Sequence, residues 1–365
     1  MVYVSVRGRI LLNAEALNMT ESVGNYVKRR RVPVMVPLGG SYSLFFVPAI
    51  SGEAVAHAYQ VLLAKEANRR NLPVCKLCEK GILLKSANDE VLRYAFPRVK
   101  FPPKKIPDPN KKGKEINNPD FGYDFEKAVV SNCVVEDVGG FLYAQARGGA
   151  NVKRTSNFLT GYMIPVKEAL ENIVIDPQLH TRYALGTQLV KSEEQAGQMI
   201  YYVELSSAPY TFSFDLDTTS LGRITFDTNH MGEEVVNSGE TVSRAEAALD
   251  ALSKLLIEVN FGAKRTRFLP NAQWESIAIA ISDDIWTVPS PFTSDYLERA
   301  KSKLEKVNHN TKLFYYPEDK ASMDDAMLGS KKAVSKAENI KVEGKASVEE
   351  AVLEAIKEAK SRLKT

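Results

Sequence analysis

The chain has 365 residues, 44% of them hydrophobic and 25% charged, with a formal net charge of +3. This composition is ordinary for a globular protein, and the length allows one large or two medium domains. No apolar run approaches the ~20 residues of a membrane span, and the N-terminus lacks a signal-peptide pattern, so we expect a cytoplasmic protein without a membrane partner. Because the net charge is small, nucleic-acid affinity would have to come from local basic patches.

The first hundred residues predict a strand, a basic loop, a second strand and a helix. Residues 2–12 alternate between apolar and more polar side chains, and the apolar run 42–47 predicts the second strand. Between them lie two amide residues, a glycine and four consecutive cations at 28–31. Such a run is costly to bury and must face water or an anion. The phosphate-binding candidates here are Asn18, Asn25, Lys28, Arg29 and Arg30; the alternative is a solvated loop.

A helix is predicted from Ser51 to about residue 70, because apolar residues recur there at helical spacing. Ser51 can cap this helix, and the Ser51-Gly52 turn places free amides at its N-terminus. That arrangement suits a phosphate, although simple capping explains it as well. His57 lies on the same helix and is expected to be a hydrogen-bonded residue of the helix surface or a contact to RNA.

Residues 71–124 interrupt this regular pattern. Within them, residues 99–119 are rich in proline and lysine and predict a surface loop. Cys75 and Cys78 form a lone CxxC pair, and a zinc site would need two further ligands, which the neighbouring sequence does not supply. We therefore expect the three cysteines, including Cys133, to pack as small hydrophobic residues without metal or redox function.

The middle of the chain predicts two strands and a second basic segment. Residues 125–138 contain five valines and predict a strand. A segment of glycines and cations follows, comprising Gly148, Gly149, Lys153 and Arg154. Residues 200–216 form the clearest strand pattern, with an aromatic face that is either core or a base-stacking platform; we expect core, because the opposite face is acidic.

The last third of the chain predicts two helices and two strands. Ser243 and Glu246 form a capping-box pattern before a helix that ends near Gly262. Lys264, Arg265 and Arg267 come directly after it, which is more positive charge than a helix dipole requires, so they are candidate phosphate ligands. Strands are predicted at 277–281 and 313–316, and a final helix begins after Ser347.

No catalytic constellation is visible in the sequence. The four histidines, His57, His180, His230 and His309, stand outside any metal-binding or catalytic motif. There is no phosphate-binding P-loop and no nucleophile elbow. We therefore predict a protein that is not an enzyme and has no cofactor or bound metal.

Six segments together resemble a known family. They are A-L-N-M-T-E-S-V-G-N (16–25), P-A-I-S-G-E-A-V-A-H-A-Y-Q (48–60), D-V-G-G-F-L-Y-A (137–144), V-K-R-T-S-N-F-L-T-G-Y-M-I-P (152–165), S-S-A-P-Y-T-F-S-F-D-L (206–216) and N-F-G-A-K-R-T-R-F-L-P (260–270). Their order and span resemble the backbone subunit of archaeal type I-A CRISPR effector complexes, the Cas-seven family, also called DevR-like.

The resemblance implies a fold and a function. The fold would be α+β, with an RRM-like (ferredoxin-like) antiparallel palm built from discontinuous segments of residues 1–365. An inserted region at 71–124 and a protruding thumb hairpin at 142–176 would complete it. Phe158 or Met163 could then serve as an apolar wedge between RNA bases, unless they belong to the core. The long predicted helices argue against a single-stranded-DNA-binding barrel.

The implied function is non-catalytic binding of CRISPR RNA. Copies of the chain would polymerise head-to-tail along the RNA, together with handle-binding, large and small effector subunits, and would present its bases to target DNA. The RNA-binding candidates are Asn18, Asn25, Lys28, Arg29, Arg30, Ser51, Gly52, His57, Lys153, Arg154, His180, Lys264, Arg265 and Arg267. The alternative is a metal-dependent ribonuclease like the backbone subunits of type III effectors, with Glu21 or Asp137 as the acidic residue.

Overall fold

The computed structural model describes residues 2–86, 88–144, 151–182, 199–317 and 342–364. Its helices are α1 (Gly52–Arg69), α2 (Lys76–Glu79), α3 (Asp89–Ala95), α4 (Phe121–Asn132), α5 (Val134–Gly139), α6 (Ser238–Glu258), α7 (Tyr296–Lys306) and α8 (Val348–Leu363), with a 3-10 helix at Lys167–Asn172. Its strands are β1 (Tyr3–Glu15), β2 (Met19–Val23), β3 (Tyr26–Arg29), β4 (Arg31–Leu38), β5 (Ser41–Pro48), β6 (Lys105–Pro107), β7 (Glu115–Asn117), β8 (Phe141–Tyr143), β9 (Val152–Arg154), β10 (Phe158–Thr160), β11 (Ile175–Arg182), β12 (Met199–Asp217), β13 (Asn271–Ser282), β14 (Lys312–Tyr316) and β15 (Val342–Gly344).

One large sheet organises the described part of the molecule. Its strand order is β15-β14-β13-β1-β12-β3-β2, and β10 and β11 also pair with β12. The central strand β1 is antiparallel to both neighbours, with Val6 opposite Phe214 of β12 and Ile279 of β13. The strands predicted at 2–12, 42–47, 200–216, 277–281 and 313–316 are confirmed, and so is the α+β class. The basic loop predicted between the first two strands is wrong, because its residues form β2, β3 and β4.

Helices α1, α6 and α8 cover one face of this sheet. Every second residue of β13 faces these helices, so the side chains of Ile277, Ile279 and Ile281 all belong to the core beneath them. Tyr59 of α1 packs edge-on against the Phe214 ring at 4.8 Å and donates a hydrogen bond to the Ala248 carbonyl of α6. The aromatic face of β12 is therefore core, as expected.

Helix α7 and the loop before it cover part of the opposite face. Ala278 and Ala280 of β13 point into this second core, where Trp286 and Tyr296 are buried. The Tyr296 hydroxyl donates a hydrogen bond of 2.8 Å to Ser276 Oγ. The small side chains of β13 leave room for these rings, so the sheet is covered on both sides here.

The strand predicted at 125–138 is wrong, because these residues form α4 and α5. Phe121, Phe125 and Val129 are all buried at helical spacing, and together they face the core. Valine favours strands only weakly, and burial of this apolar face outweighs that preference. The proline- and lysine-rich stretch carries the short, exposed hairpin of β6 and β7.

Two helix starts test the capping predictions. The predicted cap at Ser347 is confirmed, since its side chain accepts a hydrogen bond from the Glu350 amide at 3.1 Å. The predicted cap at Ser243 is wrong: α6 begins earlier, where Asn237 Oδ1 accepts from the Glu240 amide at 2.9 Å. Asparagine and serine are comparable caps, so the sequence pattern did not separate the two starts.

The region predicted as a thumb, 142–176, contains β8, β9, β10 and the 3-10 helix. Gly148 and Gly149 lie outside the described residues. Phe158 and Met163 are 5% and 1% exposed and belong to the main core, so a wedge role for these two side chains is wrong. Among the described residues, no helix is long and apolar enough to cross a membrane.

Candidate nucleic-acid interface

The hairpin of β2 and β3 forms one edge of the large sheet. Its turn places Gly24 at a φ of +61°, a conformation that glycine adopts without strain. Asn25 is exposed, and its Nδ2 donates a hydrogen bond of 3.1 Å to the Ile200 carbonyl on β12. The Tyr26 and Tyr202 rings stack at 5.8 Å. These contacts hold the amide and the following cations against the rigid sheet.

The four consecutive cations do not share one environment. Lys28 is exposed and lies 3.3 Å from Glu21 Oε1, and Arg31 pairs with Glu204 at 2.8 Å. Arg29 is buried, with no exposed side-chain surface. Successive side chains of a strand point to opposite faces, so a run of cations on β3 must send one of them inward.

The prediction that Arg29 contacts RNA is therefore wrong. Its guanidinium pairs with the buried carboxylate of Glu15 and donates to Tyr210 Oη. Tyr210 in turn donates a hydrogen bond of 2.6 Å to Glu15, and burial raises its pKa, which keeps the phenol protonated. The Arg29 backbone amide donates to Glu204 at 2.8 Å. These bonds tie β1, β3 and β12 together, which is a structural role.

Asn18 joins three segments of the chain. Its Oδ1 accepts hydrogen bonds from Arg30 Nε at 2.7 Å and from the Ser51 backbone amide at 3.1 Å. Arg30 also donates to Tyr162 Oη at 3.4 Å, and its guanidinium lies 5.9 Å from the centroid of the same ring. Tyr162 is 47% exposed. This side-by-side cation and aromatic ring is suited to a phosphate and a stacked base.

The sequence reasoning missed Tyr162. The signal that could have found it is the Thr160-Gly161-Tyr162 stretch, an aromatic residue next to glycine and just beyond the basic segment. Gly161 has open space around the position of a Cβ, whereas Gly52 packs closely on the Thr160 carbonyl. Gly52 is thus required for packing at the start of α1, and the buried Ser51 caps that helix through the Ala54 amide.

The second basic segment lies beside the first. The Ala263 amide donates a hydrogen bond of 2.7 Å to the Leu17 carbonyl, and Gly262, at a φ of +86°, packs directly on the Leu17 side chain. Lys264, Arg265 and Arg267 follow this contact and retain solvent exposure. A larger residue at 262 would collide with Leu17, so glycine sets the approach of this loop to Asn18.

His180 lies at the far end of the same stretch. Its ring stacks on Tyr201 at 5.4 Å and meets the Phe268 ring edge-on at 5.1 Å. The predicted residues Asn18, Asn25, Lys28, Arg30, His180, Lys264, Arg265 and Arg267 are therefore joined, together with Tyr162, by direct contacts between their segments. We call this set of nine residues the basic surface.

His57 and Lys153 lie in a different place. His57 is exposed on α1, in a shallow groove that Gln60, Leu83 and Lys85 also line. Lys153 of β9 is exposed opposite Leu142 of β8, and Leu142 also bridges to Lys85. Lys85 is thus a second cation here, beside Lys153, and sequence reasoning missed it because it stands alone in an irregular stretch.

The prediction that Arg154 contacts RNA is wrong as well. Its side chain is completely buried and forms ion pairs with Glu126 at 2.8 Å and with Asp137 at 2.5 Å. Arg244 approaches Asp137 from the other side at 2.7 Å, and the Gly222 amide donates to it at 3.0 Å. We call Glu126, Asp137, Arg154 and Arg244 the buried ion network.

This network also removes Asp137 as the acidic residue of a ribonuclease, because it is inaccessible and fully paired. Glu21 is exposed beside Lys28. Among the described residues, the only group of three or more metal-ligating side chains close enough to share an ion is Cys75, Cys78 and Cys133. Within the described ranges, Glu21 therefore has no carboxylate cluster around it.

Comparisons with known proteins agree with the sequence resemblance. A family model described as CRISPR-associated negative auto-regulator DevR/Csa2 matches residues 6–301. CRISPR-associated protein Cas7/Csa2 1 of Saccharolobus solfataricus is 35% identical over 313 residues, covering 86% of this chain and 88% of that protein. CRISPR-associated aCascade subunit Cas7/Csa2 2 of the same organism is 36% identical over 300 residues, covering 82% and 85%.

Among solved structures, the chain is similar to one chain of a CRISPR RNA-guided surveillance complex, with a TM-score of 0.44 and 10% identity, covering 98% of this chain and 99% of that one. The family model spans well over half of the sequence, and both Saccharolobus relatives exceed 30% identity across most of their length. The chain therefore belongs to the DevR/Csa2 family of CRISPR-associated proteins.

Proposed function

We propose that this protein is the RNA-binding backbone subunit of a type I-A CRISPR effector complex. In this role it holds the phosphates of a CRISPR RNA and presents the bases for pairing with target DNA, while base pairing supplies the sequence specificity. Membership of the family supports the role of effector subunit, and one relative carries the name of an aCascade subunit. The RRM-like palm is part of the same proposal.

The observation that carries the proposal is the continuity of the basic surface. Arg30 and the 264–267 segment are separated by more than two hundred residues, yet Arg30 binds Asn18, and Ala263, directly before the segment, binds the neighbouring Leu17. Their side chains stand on a sheet edge and a packed loop, so their positions are set before RNA binds. Prepositioned cations next to an exposed aromatic ring match the requirements of sequence-tolerant RNA binding.

Assembly along the RNA needs a surface that contacts a second copy. The hairpin of β4 and β5 forms its own two-stranded sheet and exposes a row of large apolar residues: Met35 (64%), Tyr42 (71%), Leu44 (53%) and Phe46 (68%). An apolar patch of this kind marks an interaction site. We propose that it docks on a different surface of the next copy, because a head-to-tail interface that does not close produces a helical filament.

The remaining elements of the proposal follow from this role. The partners would be the handle-binding, large and small subunits of the effector, in the cytoplasm, and the protein would have no catalytic activity of its own. The buried state of Asp137 supports a non-catalytic subunit over the ribonuclease alternative.

Titration of two unrelated single-stranded RNAs at several salt concentrations tests the proposal. We expect similar affinities for both, with log K falling linearly with log salt, because each phosphate contact releases counterions. A strong preference for one sequence, or an affinity that salt does not change, would contradict it. Chromatography with nucleic-acid absorbance, before and after ribonuclease treatment, will show whether RNA accompanies the purified protein.

A further inference from the structure

Two cysteines at the start of the inserted region meet a third, Cys133, that lies beyond its end. The Sγ atoms of Cys75, Cys78 and Cys133 all lie within 4.8 Å of one another, and all three side chains are buried. Cys75 and Cys78 flank the start of α2, while Cys133 lies at the junction of α4 and α5. The Val134 amide donates a hydrogen bond of 2.9 Å to the Pro73 carbonyl, which fixes this junction against the CxxC segment.

A carboxylate touches this cluster at the Cys78 sulfur, although it stands outside the group of three ligand atoms that lie within 4.8 Å of one another. Glu136 of α5 is fully buried, and its Oε1 accepts hydrogen bonds from Cys78 Sγ at 3.0 Å and from the Leu84 amide at 2.8 Å. Its second oxygen, Oε2, is buried without any hydrogen-bond partner in the structure. A buried polar oxygen in this state is costly, and a bound cation is one partner that would satisfy it.

We propose that Cys75, Cys78, Cys133 and Glu136 bind a structural zinc ion. Three thiolates and one carboxylate are ligands that zinc accepts in tetrahedral sites. With Zn–S bonds of ~2.3 Å, tetrahedral geometry places sulfur atoms ~3.8 Å apart. The observed spacing therefore needs a contraction of about 1 Å or less at each sulfur pair.

The electrostatics of the cluster fit a divalent cation. With zinc bound, three thiolates and one carboxylate leave the same net charge as the four-cysteine sites that are common in proteins. The Cys75 backbone amide donates a hydrogen bond of 3.4 Å to Cys133 Sγ, and the Leu84 amide donates one of 2.8 Å to Glu136 Oε1. These donors stabilise the negative ligands, and zinc binding releases the thiol protons to solvent.

The ion would fasten the insertion to the main helical layer. Cys75 follows α1 directly, and the other ligands come from α2, from the junction before α5 and from α5 itself. Lys85 lies in this insertion and bridges to Leu142, which pairs with Lys153, so the metal would hold the groove beside His57 in shape. The proposal concerns stability of the insertion and does not depend on RNA binding.

Elemental analysis of the full chain, purified under reducing conditions without chelator, is the first test. We expect about one zinc per chain, and loss of the zinc in the double variant Cys75→Ser/Cys133→Ser. Glu79→Gln is the matched control, because Glu79 is an exposed carboxylate on the same short helix α2 and should leave the zinc in place.

Cobalt titration of the wild-type protein keeps the test decisive if the cysteine variants do not fold. Cobalt(II) in the site should produce intense tetrahedral absorption with thiolate-to-cobalt charge transfer, and zinc should displace it. Glu136→Gln should weaken metal affinity on the order of 10–100-fold. If Glu136 only satisfied the Leu84 amide, the glutamine variant would leave the cobalt spectrum and affinity unchanged.

Thiol titration completes the experiment, since the sequence has only these three cysteines. Zinc should protect all three from a thiol reagent, and removal of zinc should restore their reactivity. Negligible zinc in the purified protein, combined with no cobalt charge-transfer band and no protection by added zinc, would overturn the proposal. A disulfide between two of the cysteines under the same reducing conditions would overturn it as well.

Discussion

The buried ion network and the basic surface use the same residue types for opposite purposes. In the buried network, Arg154 and Arg244 have no exposed side-chain surface, and two carboxylates balance their charge. In the basic surface, Arg30 has an amide and a tyrosine as partners, and the cations at 264–267 follow a loop with no acidic neighbour in sequence. A positive side chain without an acidic partner remains available to bind a phosphate.

The two regions show that the partners of an arginine, and not its residue type, indicate its role. An arginine paired with buried carboxylates stabilises the fold, whereas an exposed arginine without a carboxylate partner is a candidate for binding RNA. Removing one member of a buried pair leaves the other charge without compensation, which costs far more than losing a solvated cation. The comparison therefore predicts that substitutions in the two regions separate cleanly into effects on unfolding and effects on RNA affinity.

The largest effect is expected for Arg154→Ala. This change leaves Glu126 and Asp137 buried with unmatched charge, so the free energy of unfolding should fall by about 3–5 kcal/mol. Denaturant unfolding followed by circular dichroism measures it. Lys153→Ala, one residue earlier and exposed, is the matched control and should stay within about ±0.5 kcal/mol. Equal stability of the two variants would break the distinction between the regions.

Arg29→Met and Arg30→Met compare the same two roles at adjacent positions. The first change breaks the pair with Glu15, but Nε and Nη1 of Arg29 are already buried without partners. We therefore expect a smaller loss than at Arg154, about 1–3 kcal/mol in the free energy of unfolding. Arg30→Met should preserve stability and weaken RNA binding. The opposite pattern, with RNA affinity reduced only at Arg29, would contradict this assignment.

Tyr162→Ala should weaken RNA binding by about 1–3 kcal/mol, the contribution of one stacked base. Tyr162→Phe retains the ring and should bind RNA nearly as well as wild type, which separates stacking from the hydrogen bond with Arg30. Fluorescence anisotropy with a labelled single-stranded RNA measures both. An alanine variant with wild-type affinity would show that no base stacks on this ring.

Replacing Lys264, Arg265 and Arg267 together by alanine should flatten the salt dependence of RNA binding. For single strands the slope of log K against log salt should fall by about 0.7 for each phosphate that the variant no longer binds. Thermal melting of the same variant should change little, because these side chains are solvated. Normal melting with an unchanged slope would mean that these cations do not bind phosphate.

The smallest effect is expected for Glu21→Ala. Glu21 pairs only weakly with Lys28 at the surface, so neither stability nor RNA integrity should depend on it. Incubation of wild type with RNA and magnesium or manganese should leave the RNA intact. Cleavage by wild type that disappears in the variant would favour the ribonuclease function instead.

The spacing of apolar residues predicted the secondary structure correctly where that spacing matches the buried face of a strand or helix. The alternation at 2–12 and 200–216 predicted β1 and β12, and apolar spacing predicted α1 and α8. The same reasoning failed at 125–138, where valines suggested a strand. There, packing of Phe121, Phe125 and Val129 against the core selected helices instead. The preference of valine for strands is weak compared with the free energy gained by burying such an apolar helix face.

The basic segments were visible in the sequence, but their individual side chains were not assignable. Nothing local distinguishes Arg29 from Arg30, because which one turns inward depends on the pairing of β3 with β12. Arg154 likewise meets its partner Glu126 only because α4 packs beside β9. Glycine and cation patterns located the basic segments, but they did not show which of the cations are buried.

By itself, the sequence determined the α+β class, five strands (β1, β5, β12, β13 and β14), the long helices α1, α6 and α8, the family and the positions of the basic segments. All of these depend on short-range pattern or ordered motifs. Only the tertiary structure decided which arginines are buried, that Tyr162 stands beside Arg30, and that Cys133 and Glu136 join the CxxC pair. The physical reason is that burial and charge pairing arise between residues far apart along the chain, through packing that local spacing does not encode.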